Sequence, residues 1–383
     1  MADQTIRTAQ SCAHDPREAV AELYDGLAQP DMALVLFFGS SRYERDELAA
    51  HIASRFAGVP VVGCTTAGEI GPAGCHDHSL TGASFAASVC TPVIGRLERL
   101  GSFRSPDGIA VAQDLRRRLA GLAGDSGEQN TFAFLLVDGL FGHEEQVAHA
   151  LQQGLGDIPL VGGSAGDSLD FEGTYVYCDG RFSRDAAVLV LAATPLPLTE
   201  FKTQHFTATD ERLVVTEADP ARRVVHEING LPAADEYARL LGIAPSELGP
   251  AHFAASPVVV LVDGNEYVRS IQRVEPDGLR FYCAIDRGVV LRIARGSELV
   301  DDLEATLAGV RAGIGPPQLL LAFDCILRKL EIDQTGVRDA VSDVLRRHNA
   351  VGFNTYGEQF CGVHMNQTLT AIAFGALGES PDG

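Results

Sequence analysis

The chain has 383 residues, 46% of them hydrophobic and 21% charged, a balance that suits a globular protein large enough for two cores. Its 51 acidic and 30 basic side chains leave a net charge of −21, which excludes nucleic acid as a partner because nothing would neutralise a phosphate backbone. No apolar run reaches the ~20 residues of a membrane-spanning helix, Met1 to Glu18 has no signal-peptide core, and eight scattered cysteines without a C-x-x-C pair fit a cytoplasmic chain with reduced thiols.

Residues 1–29 read as a lead-in. The first structured unit opens with the apolar strand Met32–Phe38. A helix at Arg45–Phe56 follows, with Leu48, Ile52 and Phe56 on one face, and Val59–Val62 closes the unit as a second strand. The pattern returns as Phe132–Val137, a helix around Glu144–Leu155, and Ile158–Val161. It returns again as Gln318–Phe323, Val337–His348 and Ala350–Val351. Each unit ends on Val-Gly, then a second glycine followed by an acid: Val62-Gly63…Gly68-Glu69, Val161-Gly162…Gly166-Asp167 and Val351-Gly352…Gly357-Glu358. About 30 residues per unit is the size of a βαβ motif. Strands apolar throughout belong in the middle of a covered sheet. Parallel pairing within each unit is therefore expected, with three equivalent loops at strand ends, where ligand sites form. A further strand follows each loop, at Leu80–Ala87, Ala186–Ala193 and Thr368–Phe374.

Between the second and third units lies a region of different character. Strands are expected at Leu213–Thr216 and Val224–Ile228, the latter ended by Asn229-Gly230, and a helix at Ala233–Leu241 introduced by Pro232. Strands at Val258–Val262, Tyr267–Arg273, Leu279–Ile285 and Val289–Ile293 come next, then a helix at Glu298–Arg311. The fold class is α/β: a two-domain protein built from repeated strand–helix–strand units with mixed sheets. The N-terminal domain covers residues 30–200 and the C-terminal domain 201–376, with the boundary near Pro195–Glu200 and a frayed tail at 377–383.

The Val-Gly glycines have two readings: positive φ in a sharp turn, with the acid accepting backbone N–H bonds, or close approach of backbone to a ligand. The loops do not match G-x-G-x-x-G, no P-loop or H-E-x-x-H occurs, and Ser164 in Gly163-Ser164-Ala165-Gly166 is the nearest thing to a serine nucleophile, so neither nucleotide binding nor an enzyme is expected. Ser164 reads as a residue bonded within its own turn. His76 and His78 would share one face of a strand but lack a third metal ligand nearby. The densest chemistry follows the third unit. Arg328, taken as standing at a buried strand end, needs a partner, and Glu358 is the expected one. His364, among Phe360, Val363 and Met365, reads as a core histidine or as a ligand.

Val62-Gly63-Cys64-Thr65-Thr66-Ala67-Gly68-Glu69 resembles the hallmark of the FIST N domain, a bacterial sensory module. Asn229-Gly230-Leu231-Pro232-Ala233 and Gly352–Glu358 are similar to the matching FIST C domain. Three stretches, Phe323–Arg328, Gly352–Gln359 and His364-x-Asn366-Gln367-Thr368, resemble the nitric-oxide-sensing haemoprotein branch of that family, NosP. The resemblance implies b-type haem held by one imidazole in an apolar pocket, with His364 as axial ligand and His348 as runner-up. Phe353, Tyr356, Arg328, Glu358 and Asn366 would surround the group. Nitric oxide would be the signal and a separate histidine kinase or cyclic-di-GMP enzyme the partner, with no membrane contact and a homo-oligomer left open. The alternative is a haem-free FIST module that binds a small metabolite, such as an amino acid, between its domains, clamped by Arg328, Asn354 and Glu358.

Overall fold

The computed structural model describes residues 5–123, 130–262 and 265–377. The first and closing strands of each unit pair in parallel: Met32–Ser40 with Val61–Thr66, Asn130–Val137 with Leu160–Ser164, and Leu319–Cys325 with Ala350–Thr355. The strand after each loop returns antiparallel on the other side of the first strand, as Leu80–Ala86, Ala186–Thr194 and Leu369–Phe374. An edge strand then completes each set: Ile6–Ser11, Thr91–Glu98 and Leu198–Thr203. Three mixed sheets with one strand order result.

The sixfold strand count of each sheet is reached only by exchange. A short hairpin follows the acid at the end of each loop, at once after Glu69 and Glu358 and from Val176 after Asp167, and it joins another unit's sheet. Glu69–His76 of the first unit adds to the third sheet, Glu358–Met365 of the third adds to the second, and Val176–Ser183 of the second adds to the first. The exchange is cyclic and closes on itself. At its centre the loops bond to one another: Ala67 N–H donates to Asn354 O, Asn354 N–H to Gly68 O, Ser164 N–H to Gly357 O and Gly166 N–H to Thr65 O. Aromatic residues from all three sheets fill the space between them, with Phe38 stacked on Phe353 at 4.8 Å and Phe132 edge-on to Phe374 at 4.9 Å.

The Val-Gly glycines turn out to be strand residues. Gly63, Gly162 and Gly352 pair with Phe37, Leu135 and Ala322 inside the parallel ladders. A Cβ would fall 2.5 Å from Phe37 O, 2.3 Å from Leu135 O and 1.8 Å from Ala322 O. Close approach of two strands, rather than a left-handed turn, demands glycine there. Of the second glycines, Gly68 has positive φ, at 144°.

Residues 206–296 form an eight-stranded curled sheet with its own core around Leu213, Val225, Phe253, Leu279 and Phe281. The 14-residue strand Phe206–Asp219 links its halves, pairing first with Val290–Gly296 and then with Val224–Ile228. The expected strand at Tyr267–Arg273 is two strands, Asn265–Arg269 and Ile271–Glu275, broken at Ser270. The third unit crosses over through two helices, Ile326–Thr335 and Arg338–Arg347, where one was expected. The lead-in is structural as well: Ile6–Ser11 is the edge strand, and the helix Pro16–Leu27, capped by Asp15 accepting the Glu18 N–H at 3.0 Å, buries Val20, Leu23 and Leu27. The tail beyond residue 377 lies outside the described residues.

Candidate functional site

A cleft of about 240 Å³ opens beside the second unit. Its floor is the segment Gly139–Glu144, which follows the first strand of that unit at the carboxyl end of a parallel pair, the usual position for ligands in α/β sheets. Gly139 N–H donates to Thr174 Oγ1 at 3.0 Å and Leu140 N–H to Asp138 Oδ1 at 3.1 Å. Asp138 also accepts from the Thr174 hydroxyl and the Asp185 N–H, so the floor is held from three directions. Ala221, Arg223, Gln272 and Arg280–Tyr282 of the curled sheet form one wall, and Phe171 and Tyr356 the other.

Charge is concentrated at the deep end. Arg223 Nη2 lies 2.5 Å from Glu144 Oε2 and 2.7 Å from Glu145 Oε2, so a single guanidinium bridges two carboxylates in the first turn of the helix Glu144–Leu155. Burial pushes the Glu144 carboxyl up to about 7 despite Arg223, with Glu145 adding repulsion. Arg223 itself is held charged by the two carboxylates against its own desolvation. At the outer end Arg280 bonds Glu275 at 3.0 Å. The apolar wall is a stacked pair, Phe171 and Tyr356, with ring centroids 4.9 Å apart. Tyr356 donates its hydroxyl to Asp167, and that carboxylate also accepts the N–H groups of Phe171, Glu172 and Gly173.

The residues expected at the site divide. Tyr356 lines the cleft. Phe353 is fully buried between Phe38 and Phe323 in the central core. Arg328 does not meet Glu358. It stands on a helix, one turn beyond Asp324, and its Nε donates to Asp324 Oδ1 at 2.8 Å while Nη1 lies 3.2 Å from His205 Nδ1. Glu358 is bonded instead by the hydroxyls of Thr355 and Thr368. The reason is topological: Glu358 leaves with its hairpin for the second sheet, while Arg328 stays on the third unit's crossover. Asn354 lines a cavity of about 20 Å³, room for roughly one water. A metabolite clamp made of Arg328, Asn354 and Glu358 is therefore not assembled. His76 and His78 separate, His78 packing against His14 and Tyr43. Ser164 accepts from Gln359 Nε2 at 3.0 Å, across units rather than within its own turn.

His364 is buried, and desolvation holds its imidazole down to about 4, so the ring is neutral near pH 7. Gln359 Nε2 reaches Gly357 O at 3.3 Å, a carbonyl that accepts only, and the same nitrogen lies 3.2 Å from His364 Nδ1. That amide nitrogen also donates to Ser164 Oγ at 3.0 Å, so its two hydrogens are shared among three neighbours. A Cβ on Gly357 would fall 2.6 Å from His364 Nε2 and 3.2 Å from Asn366 Nδ2, so glycine backbone lies against both side chains. Nδ1 lies against the Gln359 amide, and the Gly357 backbone crowds Nε2. In this arrangement His364 and Asn366 do not fit a haem. His348 Nδ1 lies 2.8 Å from the Val344 carbonyl, which only accepts, leaving Nε2 as the basic nitrogen.

The FIST N domain family model matches residues 33–231, and the FIST C domain model matches residues 233–361. The chain belongs to the FIST family. No curated protein matches it. FIST domains are sensory modules of signal transduction. The border between the two matches falls inside the curled sheet, and the cleft draws residues from both sides of it. Among the described residues no helix is long and apolar enough to cross a membrane. Sequence reading passed over Glu144, Phe171, Arg223 and Arg280. The available signal was the run Gly139–His143, two glycines after an apolar strand and ahead of an acidic helix start, the setting of a ligand loop.

Proposed function

We propose that this FIST protein senses a small amphipathic metabolite, of amino-acid size, in the Gly139–Tyr356 cleft and passes the state of that cleft to a separate signalling protein. The supporting observation is the cleft itself, where residues of both FIST matches meet. At 240 Å³ it falls just below the ~300–1,000 Å³ of ordinary ligand pockets. Phe171 and Tyr356 would cover the apolar part of the ligand, Glu144 would accept from an ammonium beside Arg223, and Arg280 would bind a carboxylate. No catalytic step is part of this reading. The test is calorimetric titration of the protein with the proteinogenic amino acids and their amine and acid analogues. Binding that is lost in Phe171→Ala and Arg280→Ala is the expected result, and a panel without any binder sinks the reading.

The second reading is a haem b sensor of nitric oxide, with His364 or His348 as ligand and a histidine kinase or cyclic-di-GMP enzyme as partner. The neutral His364 imidazole favours it, while the Gly357 backbone against Nε2 speaks against His364 as the ligand. Haem would supply the gas-binding iron. Titration with hemin separates the readings: a Soret band lost in His364→Ala or His348→Ala supports haem, and an unchanged spectrum of free hemin removes it.

A further inference from the structure

The outer side of the edge strand Ile6–Ser11 faces a groove. Two adjoining hollows of about 730 and 780 Å³ run along it and share Thr8 and Asn349 in their walls. The facing wall is the third unit, at the amino ends of its parallel strands, with Gln318, Val344 and Leu377.

Backbone phase decides what this edge offers. The Thr5 carbonyl accepts from Ala86 N–H at 2.9 Å, so Thr5, Arg7 and Ala9 turn their amides toward the return strand. Alternation leaves the N–H and C=O groups of Ile6, Thr8 and Gln10 on the outer side. Those groups have no backbone partner among the described residues. An unpaired strand edge beside an open groove is a template for one more strand, and the stretch that lines the groove, Thr5–Thr8, gives it a length of ~13 Å before the Ala73–Gly74 turn meets the Gln10 side chain.

Charge selects the occupant. Arg7, Arg346 and Arg347 line the groove against Glu304 and Asp343, an excess of one positive charge in a chain whose net charge is −21. Arg346–Asp343 at 3.2 Å and Arg347–Glu304 at 2.7 Å are more than half exposed on both sides, the kind of pair worth little and easily re-partnered. A second copy of the chain is a poor occupant, because its own edge strand is recessed against its third unit. We propose that the groove takes an extended, acidic segment of a signalling partner as an added strand beside Thr5–Thr8. This rests on the sensory role of the family and not on what fills the cleft.

The probe is a fluorescein-labelled hexapeptide of alternating valine and glutamate, read by polarisation against its valine–lysine counterpart and a version N-methylated at alternate residues. The acidic peptide should bind and the other two should not. Thr8→Pro removes an outward N–H that the return strand does not use, and should weaken binding about tenfold or more, a loss of ~1.4 kcal/mol. Arg346→Glu with Arg347→Glu should reverse the preference toward lysine. If Thr8→Pro fails to fold, the methylated peptide carries the same backbone test on the unaltered protein. No binding of the acidic peptide up to about 1 mM, or equal binding of the methylated peptide, overturns the proposal. So does a concentration-dependent dimer of the protein that Thr8→Pro abolishes, which would assign the edge to a second copy.

Discussion

The first and third units seal the acid that ends their loops, and the second does not. Glu69 accepts from Thr66, three residues before it, and from Ser79, ten after it; Glu358 accepts from Thr355 and Thr368 at the same two spacings. Both carboxyls are buried, and desolvation raises them to about 7 and about 8. In the second unit Asp167 collects three backbone N–H groups and a tyrosine hydroxyl borrowed from the third unit. Its hairpin begins only at Val176, and the intervening segment carries Phe171 out to the cleft. The cleft lies where one of three similar junctions was lengthened. A sealed junction holds the sheets together, and an opened one leaves room for chemistry.

Dividing the exchange should have the largest effect. Residues 1–231 lack the hairpin Glu358–Met365 that completes the second sheet, and residues 232–383 lack both the edge strand Leu198–Thr203 and the hairpin Glu69–His76. Each half expressed alone should show no cooperative thermal transition, and the two expressed together should recover one. A half that folds alone would mean the hairpins are ornament rather than closure.

Within the frame, Gly352→Ala is next. Its Cβ would meet backbone, the Ala322 carbonyl at 1.8 Å, which no rotamer change can relieve. A loss on the order of 3–5 kcal/mol, or failure to fold, is expected from chemical denaturation. Alanine at Gly121, where nothing lies within 4 Å, is the control.

These glycines show how far the sequence could be read. The spacing of Val-Gly and acid located three units, and the apolar runs predicted their parallel pairs, because a covered central strand needs apolar residues on both faces. Which sheet each hairpin joins was not legible. Three-residue strands such as Glu69–Gly71 and Glu358–Phe360 are too short to carry a period, and their partners are about 100 to 290 residues away. The same distance hid the cleft. Arg223 and Glu144 are 79 residues apart, and no local pattern connects them. Arg328 and Glu358 looked like partners because both follow strands of one strand–helix–strand unit, but the exchange sends Glu358 to the second sheet.

Glu358→Gln tests the sealed junction by pH. The native carboxyl holds its proton up to about 8, against 4.5 for an ordinary one, so the native state binds protons more tightly than the unfolded chain. Stability is therefore present below about 4.5 and lost as pH rises through 8. Glutamine keeps an acceptor for Thr368 and removes the ionisation. The variant should match the parent at pH 5 and exceed it by on the order of 4 kcal/mol at pH 9, at ~1.4 kcal/mol per pKa unit. Parallel pH profiles for the two proteins would show that Glu358 ionises freely in the fold.

Tyr356→Phe probes the open junction and should have the smallest effect. The hydroxyl donates to Asp167, but that carboxylate keeps its three backbone N–H donors, and the ring keeps its stack on Phe171. Loss of one hydrogen bond to a charged acceptor predicts about 1–2 kcal/mol. Because no sealed carboxyl is touched, the loss should be equal at pH 6 and pH 8, which separates this variant from Glu358→Gln in the same thermal assay. Ligand binding should survive with modest weakening, since the ring and not the hydroxyl faces Phe171. A loss that grows with pH would couple the open junction to the sealed one at Glu358, two residues along the chain, and the contrast between the units would then describe one connected network instead of two separate designs.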